Sequence, residues 1–147
     1  MNESLFHNPS FLAALLGWFA AQSIKFVWNL ITRREIDFRY MISTGGMPSA
    51  HSASVSALAT SVAIRDGFGS TPFAIALVFA LIVMFDAQSV RRAAGQQARL
   101  LNQIVQELFK EHHLSAHKLA ELLGHTRLEV LAGLLLGVAA GIAVHHV

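Results

Sequence analysis

The chain has 147 residues and a mass of 16.0 kDa, a length that allows one domain. It is 54% hydrophobic and only 14% charged, with a net charge of +2, against roughly 25% charged for a soluble domain. That balance excludes a disordered chain and an ordinary soluble globule, and the lack of cysteine excludes a disulfide framework and a thiolate metal site.

Four segments have the apolar length to span a bilayer, which needs about 20 residues at 1.5 Å each. The first covers residues 9–31 and carries one charge, Lys25. No Lys or Arg precedes it, and Arg33 and Arg34 follow it, so it reads as a retained span rather than a signal peptide. The second covers 47–64 and is rich in Ser and Ala. Such a helix suits shielding by its neighbours, because small residues permit close packing. The third covers 67–85 and is uncharged.

Residues 86–125 differ. Ala93, Gln97, Leu100, Leu101, Ile104 and Leu108 recur at three–four spacing, with Arg92, Gln96, Arg99, Gln103, Gln106 and Lys110 forming a polar stripe. This predicts an amphipathic helix, continuing the third span or lying on the membrane surface. A shorter helix is expected over 115–123, stopped by Gly124. His113 and His117 lie there at i,i+4 with no third ligand, and read as a solvated face rather than a metal site. The fourth segment covers 128–145. Its Gly133, Gly137 and Gly141 form a ladder at four-residue spacing, a helix contact face within the chain or between two copies in a homodimer.

Nine of the eleven Lys and Arg residues fall in the two connections 31–47 and 85–128. The positive-inside rule makes that side cytoplasmic and turns both termini outward. The expected architecture is one all-α integral-membrane domain over 1–147, a polytopic bundle of about four transmembrane helices with a cytoplasmic amphipathic excursion. Basic residues that follow membrane topology argue against nucleic-acid binding.

Candidate functional groups converge on the cytoplasmic side. In Gly45-Gly46-Met47-Pro48-Ser49-Ala50-His51-Ser52 two glycines free the backbone to approach a ligand. Pro48 suits the first turn of a helix, whose N-terminus attracts anions and brings His51 close. In His125-Thr126-Arg127-Leu128-Glu129 the spacing permits two arrangements. Glu129 can orient His125 at i,i+4, or Thr126 and Glu129 can form a capping box. Arg91 and Arg92 suit phosphate binding through forked donors or serve as topology anchors. Asp86 is expected to pair with Lys25 across helices or to bind a cation. Lys25 either snorkels to the interface or points into a shared anion pocket.

Together these stretches resemble a known pattern. Pro48-Ser49-Ala50-His51 is similar to the Pro-Ser-Gly-His motif of the type-2 phosphatidic acid phosphatase and vanadium-dependent haloperoxidase superfamily. His125 through Glu129, with the trailing Gly133, resembles its His-x-x-x-Asp motif. Almost the whole chain looks like the small divergent membrane family related to those enzymes, through residues 43–53, Phe85-Asp86-Ala87, Val90-Arg91-Arg92, 94–98 and 122–126.

The resemblance implies a lipid phosphate phosphatase that needs no metal or cofactor. It assigns His125 as nucleophile, Glu129 as its orienting partner and His51 as general acid. Lys25, Arg33 or Arg34, Arg91 or Arg92, Ser49 and the backbone of Gly46 would hold phosphate, with Asp86 in support. The pattern departs from the superfamily in placing Glu for Asp and in separating Arg92 from His125 by the amphipathic helix. The rival expectation is a non-catalytic binder or transporter of an anionic phospholipid. Both readings share a phosphorylated lipid ligand, membrane lipids as surroundings and an inner-membrane location.

Overall fold

The computed structural model describes residues 5–33, 46–108 and 125–146; of Arg33, Arg91, Arg92 and residues 106–108 it describes the backbone alone. Arg34, Gly45, His113, His117 and the helix expected over 115–123 lie outside the described residues. All regular structure described is helical. A short 3-10 turn, Leu5–His7, leads into α1 (Pro9–Arg33), and then come α2 (Ala50–Asp66), α3 (Thr71–Gln88), α4 (Val90–Leu108) and α5 (Arg127–His146).

Among the described residues, three helical stretches are long and apolar enough to cross a membrane: Pro9–Thr32, Thr71–Val105 and Arg127–His146. Their outward faces carry exposed Phe19, Val27, Phe79, Ile82 and Leu135, the inverse of a soluble bundle. The fourth expected span is α2, 17 residues long and packed against α1, α3 and α5. Ala50, Ala53, Ala57, Ala59 and Ala63 are buried along it, with Ser52, Ser56 and Ser61. The Ser/Ala composition therefore marks the central helix, which the three apolar helices shield.

Contacts fix the directions. Gly17 of α1 faces Ala53 and Ala57, and Ser10 meets Ser61, so α1 runs antiparallel to α2. Val55, Ala59 and Val62 pack with Ala76 and Ala80 of α3. The α5 glycines climb α2 in step: Gly133 against Ser49 and Ser52, Gly137 against Ala53 and Ser56, Gly141 against Ala57 and Thr60. A Cβ on Gly141 would lie 2.8 Å from the Ala57 carbonyl oxygen, and at Gly133 and Gly137 the space is tighter still. The ladder considered as a homodimer face is thus taken up inside the chain. Ser56 reinforces the contact, its Oγ lying 3.2 Å from the Leu134 carbonyl of α5.

Several boundaries shift from expectation. The third span starts at Thr71, because Ser70 caps the helix by accepting from the Phe73 N–H at 3.2 Å. Gly67, at φ +84, closes α2 instead of opening α3. The amphipathic helix does continue the third span: α3 and α4 are separated by Ser89 alone, whose N–H reaches the Phe85 carbonyl at 2.9 Å.

The two ends of the bundle are chemically distinct. One end gathers the start of α2, the start of α5 and the end of α3. At the other, Ser61 Oγ lies 3.1 Å from Ser10 Oγ and 2.8 Å from His145 Nε2, so that one hydroxyl links α1, α2 and α5. Nearby Arg65 pairs with Asp66 at 2.9 Å on the surface. That hydrogen bond holds the Asp66 carboxyl below the usual carboxylate range.

Candidate active site

The site end is built by two helix starts locked together. Ser49 is the N-cap of α2, its side chain accepting from the Ser52 N–H. The Ser52 hydroxyl adds a bond to Ser49 Oγ at 3.1 Å. The Ser49 N–H in turn donates to the Glu129 carbonyl in the first turn of α5, at 2.9 Å. Gly133 lets that turn approach, because any Cβ there would collide with the Ser49 carbonyl. The motif Ser thus serves as a clasp, with its backbone N–H already engaged.

Pro48 differs from expectation. It precedes the cap instead of filling the first helical turn, and its bond to Met47 is cis. Gly46 has φ +87, the left-handed region that favours glycine, and no atom crowds its Cβ position. His51 stands in the first turn of α2, as its spacing predicts, and is partly buried and engaged by neighbouring groups.

Before α5, the two arrangements open to Glu129 occur together. Its Oε2 accepts from the Thr126 N–H at 3.0 Å, while Thr126 Oγ1 accepts from the Glu129 N–H at 3.3 Å, a complete capping box. The same Oε2 lies 2.9 Å from His125 Nδ1. A carboxylate oxygen has lone pairs for both. The His125 N–H is tied to the Ala87 carbonyl at the end of α3, at 3.0 Å.

The result is a histidine fixed at every point but one. His125 is 2% exposed, Nδ1 is held by Glu129, and Nε2 has no hydrogen-bond partner among the described residues. With Nδ1–H donated to the carboxylate, the lone pair sits on Nε2. A buried polar atom without a partner is rare in folded proteins and calls for an explanation.

Lys25 of α1 faces this pair. It is buried and close enough to Glu129 to feel its charge, though no contact ion pair joins them among the described residues. Glu129 is a carboxylate whose charge reaches Lys25, a neighbour the spacing of the sequence did not point to. Asp86 itself is partly buried near the end of α3 and has polar partners. Arg33 ends α1 at this same end of the bundle, and Arg91 and Arg92 lie in the first turn of α4.

Gln22 and Asn29, which the motif reading passed over, are buried at 4% and 7% exposure. Their signal was legible: with Lys25 they form an i, i+3, i+7 polar face inside an otherwise apolar span. Beside the clasp, Ile24, Trp28, Met47, Ala132 and Leu136 line an apolar cavity of about 540 Å³, with Gly46 and Pro48 also in its wall.

A helix bundle with apolar outer faces and a buried histidine paired with a half-buried glutamate at one end defines a polytopic membrane protein with a sunken polar site. The chain belongs to the divergent PAP2 family, whose model matches residues 6–140. It is 42% identical over 145 residues to the uncharacterized membrane protein YuiD of Bacillus subtilis (strain 168), a match covering 91% of this chain and 92% of that relative. No solved structure matches it.

Proposed function

We propose that this protein is a lipid phosphate phosphatase, hydrolysing a phosphomonoester or pyrophosphate on a lipid alcohol through a phosphohistidine. The observation that carries this reading is the state of His125: buried, oriented through Nδ1, with Nε2 unpartnered. The Nε2 lone pair attacks phosphorus, and the bond from phosphorus to the alcohol oxygen breaks. The departing oxygen takes a proton from His51 as general acid. Water then attacks phosphorus with His51 as base, the P–N bond breaks, and inorganic phosphate leaves. Glu129 balances the charge that His125 acquires, and Lys25 faces the phosphoryl oxygens. Arg33 or Arg34 and Arg91 or Arg92 are the further candidates for holding them, with Gly46 and Asp86 in support.

Family membership supports the chemistry, and the apolar cavity beside Gly46 and Pro48 supports a lipid as the alcohol. The basic residues near this end support an inner-membrane location with the site on the cytoplasmic side.

The test is phosphate release by the purified protein in mixed micelles, with lipid phosphates supplied and EDTA present, beside His125→Ala. Turnover that persists in EDTA and disappears in the variant is the expected result. Absence of turnover on every lipid, with binding that survives His125→Ala but not Lys25→Ala, would instead establish a non-catalytic binder of anionic lipid.

A further inference from the structure

Among the described residues two buried side-chain atoms have no hydrogen-bond partner: His125 Nε2 and Gln22 Oε1. The phosphatase reading explains the first and leaves the second. Gln22 lies in the middle of α1, three residues before Lys25, so the two side chains share a helix face. Three residues of helix rise place it about 4.5 Å further along the axis, away from the site end. An orphaned carboxamide oxygen at membrane depth is costly, and an apolar residue would pack there without that cost.

An orphaned acceptor needs a donor, and a substrate bound beside Lys25 on the same helix face is one source. We propose that Gln22 is a specificity-determining residue that accepts a hydrogen bond from a hydroxyl on the lipid alcohol, one carbon beyond the carbon that bears the phosphate. This inference rests on the phosphatase reading and narrows its substrate class. Such a hydroxyl sits about 4–5 Å from phosphorus, given bonds of roughly 1.5 Å, of the same order as the backbone rise of three residues from Lys25 to Gln22. Glycerol phosphates with a free adjacent hydroxyl meet this requirement. Polyprenyl phosphates do not, because their chain is hydrocarbon at that position. A fully esterified glycerol phosphate presents only acceptors there and leaves Oε1 unsatisfied.

The probes are 1-oleoyl lysophosphatidate, its 2-deoxy analogue and farnesyl phosphate. Each is offered in micelles to the wild-type chain and to Gln22→Met, an apolar side chain of similar length. Turnover and binding affinity are measured side by side. The wild type is expected to favour the hydroxyl lipid over its deoxy analogue by about tenfold or more, as for a site built to bond a hydroxyl. Gln22→Met is expected to abolish that ratio.

Equal use of hydroxyl and deoxy lipids by the wild type would overturn the proposal without any variant. So would a preference that survives Gln22→Met unchanged, and in both cases the phosphatase reading stands. If no lipid is hydrolysed, the phosphatase reading falls, and the affinity ratio still decides the role of Gln22.

Discussion

The backbone N–H of Ser49 donates to the carbonyl of Glu129 across 2.9 Å, joining the cap of α2 to the first turn of α5. That one bond brings together two motifs far apart in sequence. The residue carrying the accepting carbonyl also carries the carboxylate that orients His125. Position and ring orientation of the histidine are thereby set by the same turn.

Glu129 has two duties, and two substitutions separate them. Glu129→Gln keeps an acceptor for the Thr126 N–H but removes the negative charge beside His125. Thermal stability should change little, while kcat falls by about 10²-fold, the lower range for losing a positioned acid–base group. Glu129→Ala should lose the cap as well, at about 1 kcal/mol. Phosphate release and thermal unfolding in the same detergent distinguish the two variants; equal stability losses would refute the division of roles.

Lys25→Met should make the protein more stable and less able to hold phosphate. The ammonium is buried without a contact ion pair among the described residues, and removing such a charge commonly stabilises. KM for a lipid phosphate should rise tenfold or more. A destabilised Lys25→Met protein would show that the lysine is structural.

The glycines on α5 are expected to be intolerant in proportion to their contacts. Gly137→Leu drives a side chain into Ser56 Oγ and the Ala53 carbonyl, and overpacking of this kind costs about 1–3 kcal/mol or more. It should abolish monodisperse protein in size-exclusion chromatography. Gly69→Ala, where nothing lies within 4 Å, is the matched control and should elute as wild type.

Ser61→Ala tests the far end. It breaks the hydroxyl link to Ser10 and His145 and should cost about 1–3 kcal/mol by leaving buried partners unmet. Activity per folded molecule should be unchanged, because the link lies at the opposite end of the bundle from His125. A change in kcat at constant fold would mean that the two ends communicate.

Orientation can be read directly, since the chain contains no cysteine. A membrane-impermeant maleimide added to intact cells should label Gly69→Cys, between α2 and α3. It should label Gln103→Cys, on α4, only after permeabilisation. The reverse pattern would place the site on the outer side.

Much of this was legible in the sequence, for identifiable reasons. Apolar length announced α1, α3 and α5, and four-residue glycine spacing announced the face of α5. The Ser/Ala run of α2 correctly read as a shielded helix, because only small side chains permit approach on several sides. What sequence left open was the choice between two uses of one carboxylate. Spacing offered a capping box or a His–Glu pair, and only coordinates place both on Oε2 of Glu129. Spacing pointed Lys25 only to Asp86, and the approach of Glu129 depends on how α1 and α5 pack. Gln22 was visible as a polar residue in a span, but its orphaned oxygen depends on what the neighbouring helices withhold.

The composition of α2 has a consequence for biogenesis. A 17-residue helix carrying four serines is a poor passenger for lateral release into lipid by itself. The chain supplies α1 before it and α3 after it, but the small-residue groove that receives α5 stays open until the last helix emerges from the ribosome. Truncation before Gly133 should therefore leave α2 loosely inserted and prone to proteolysis, and synthesis of the final helix completes integration of the second.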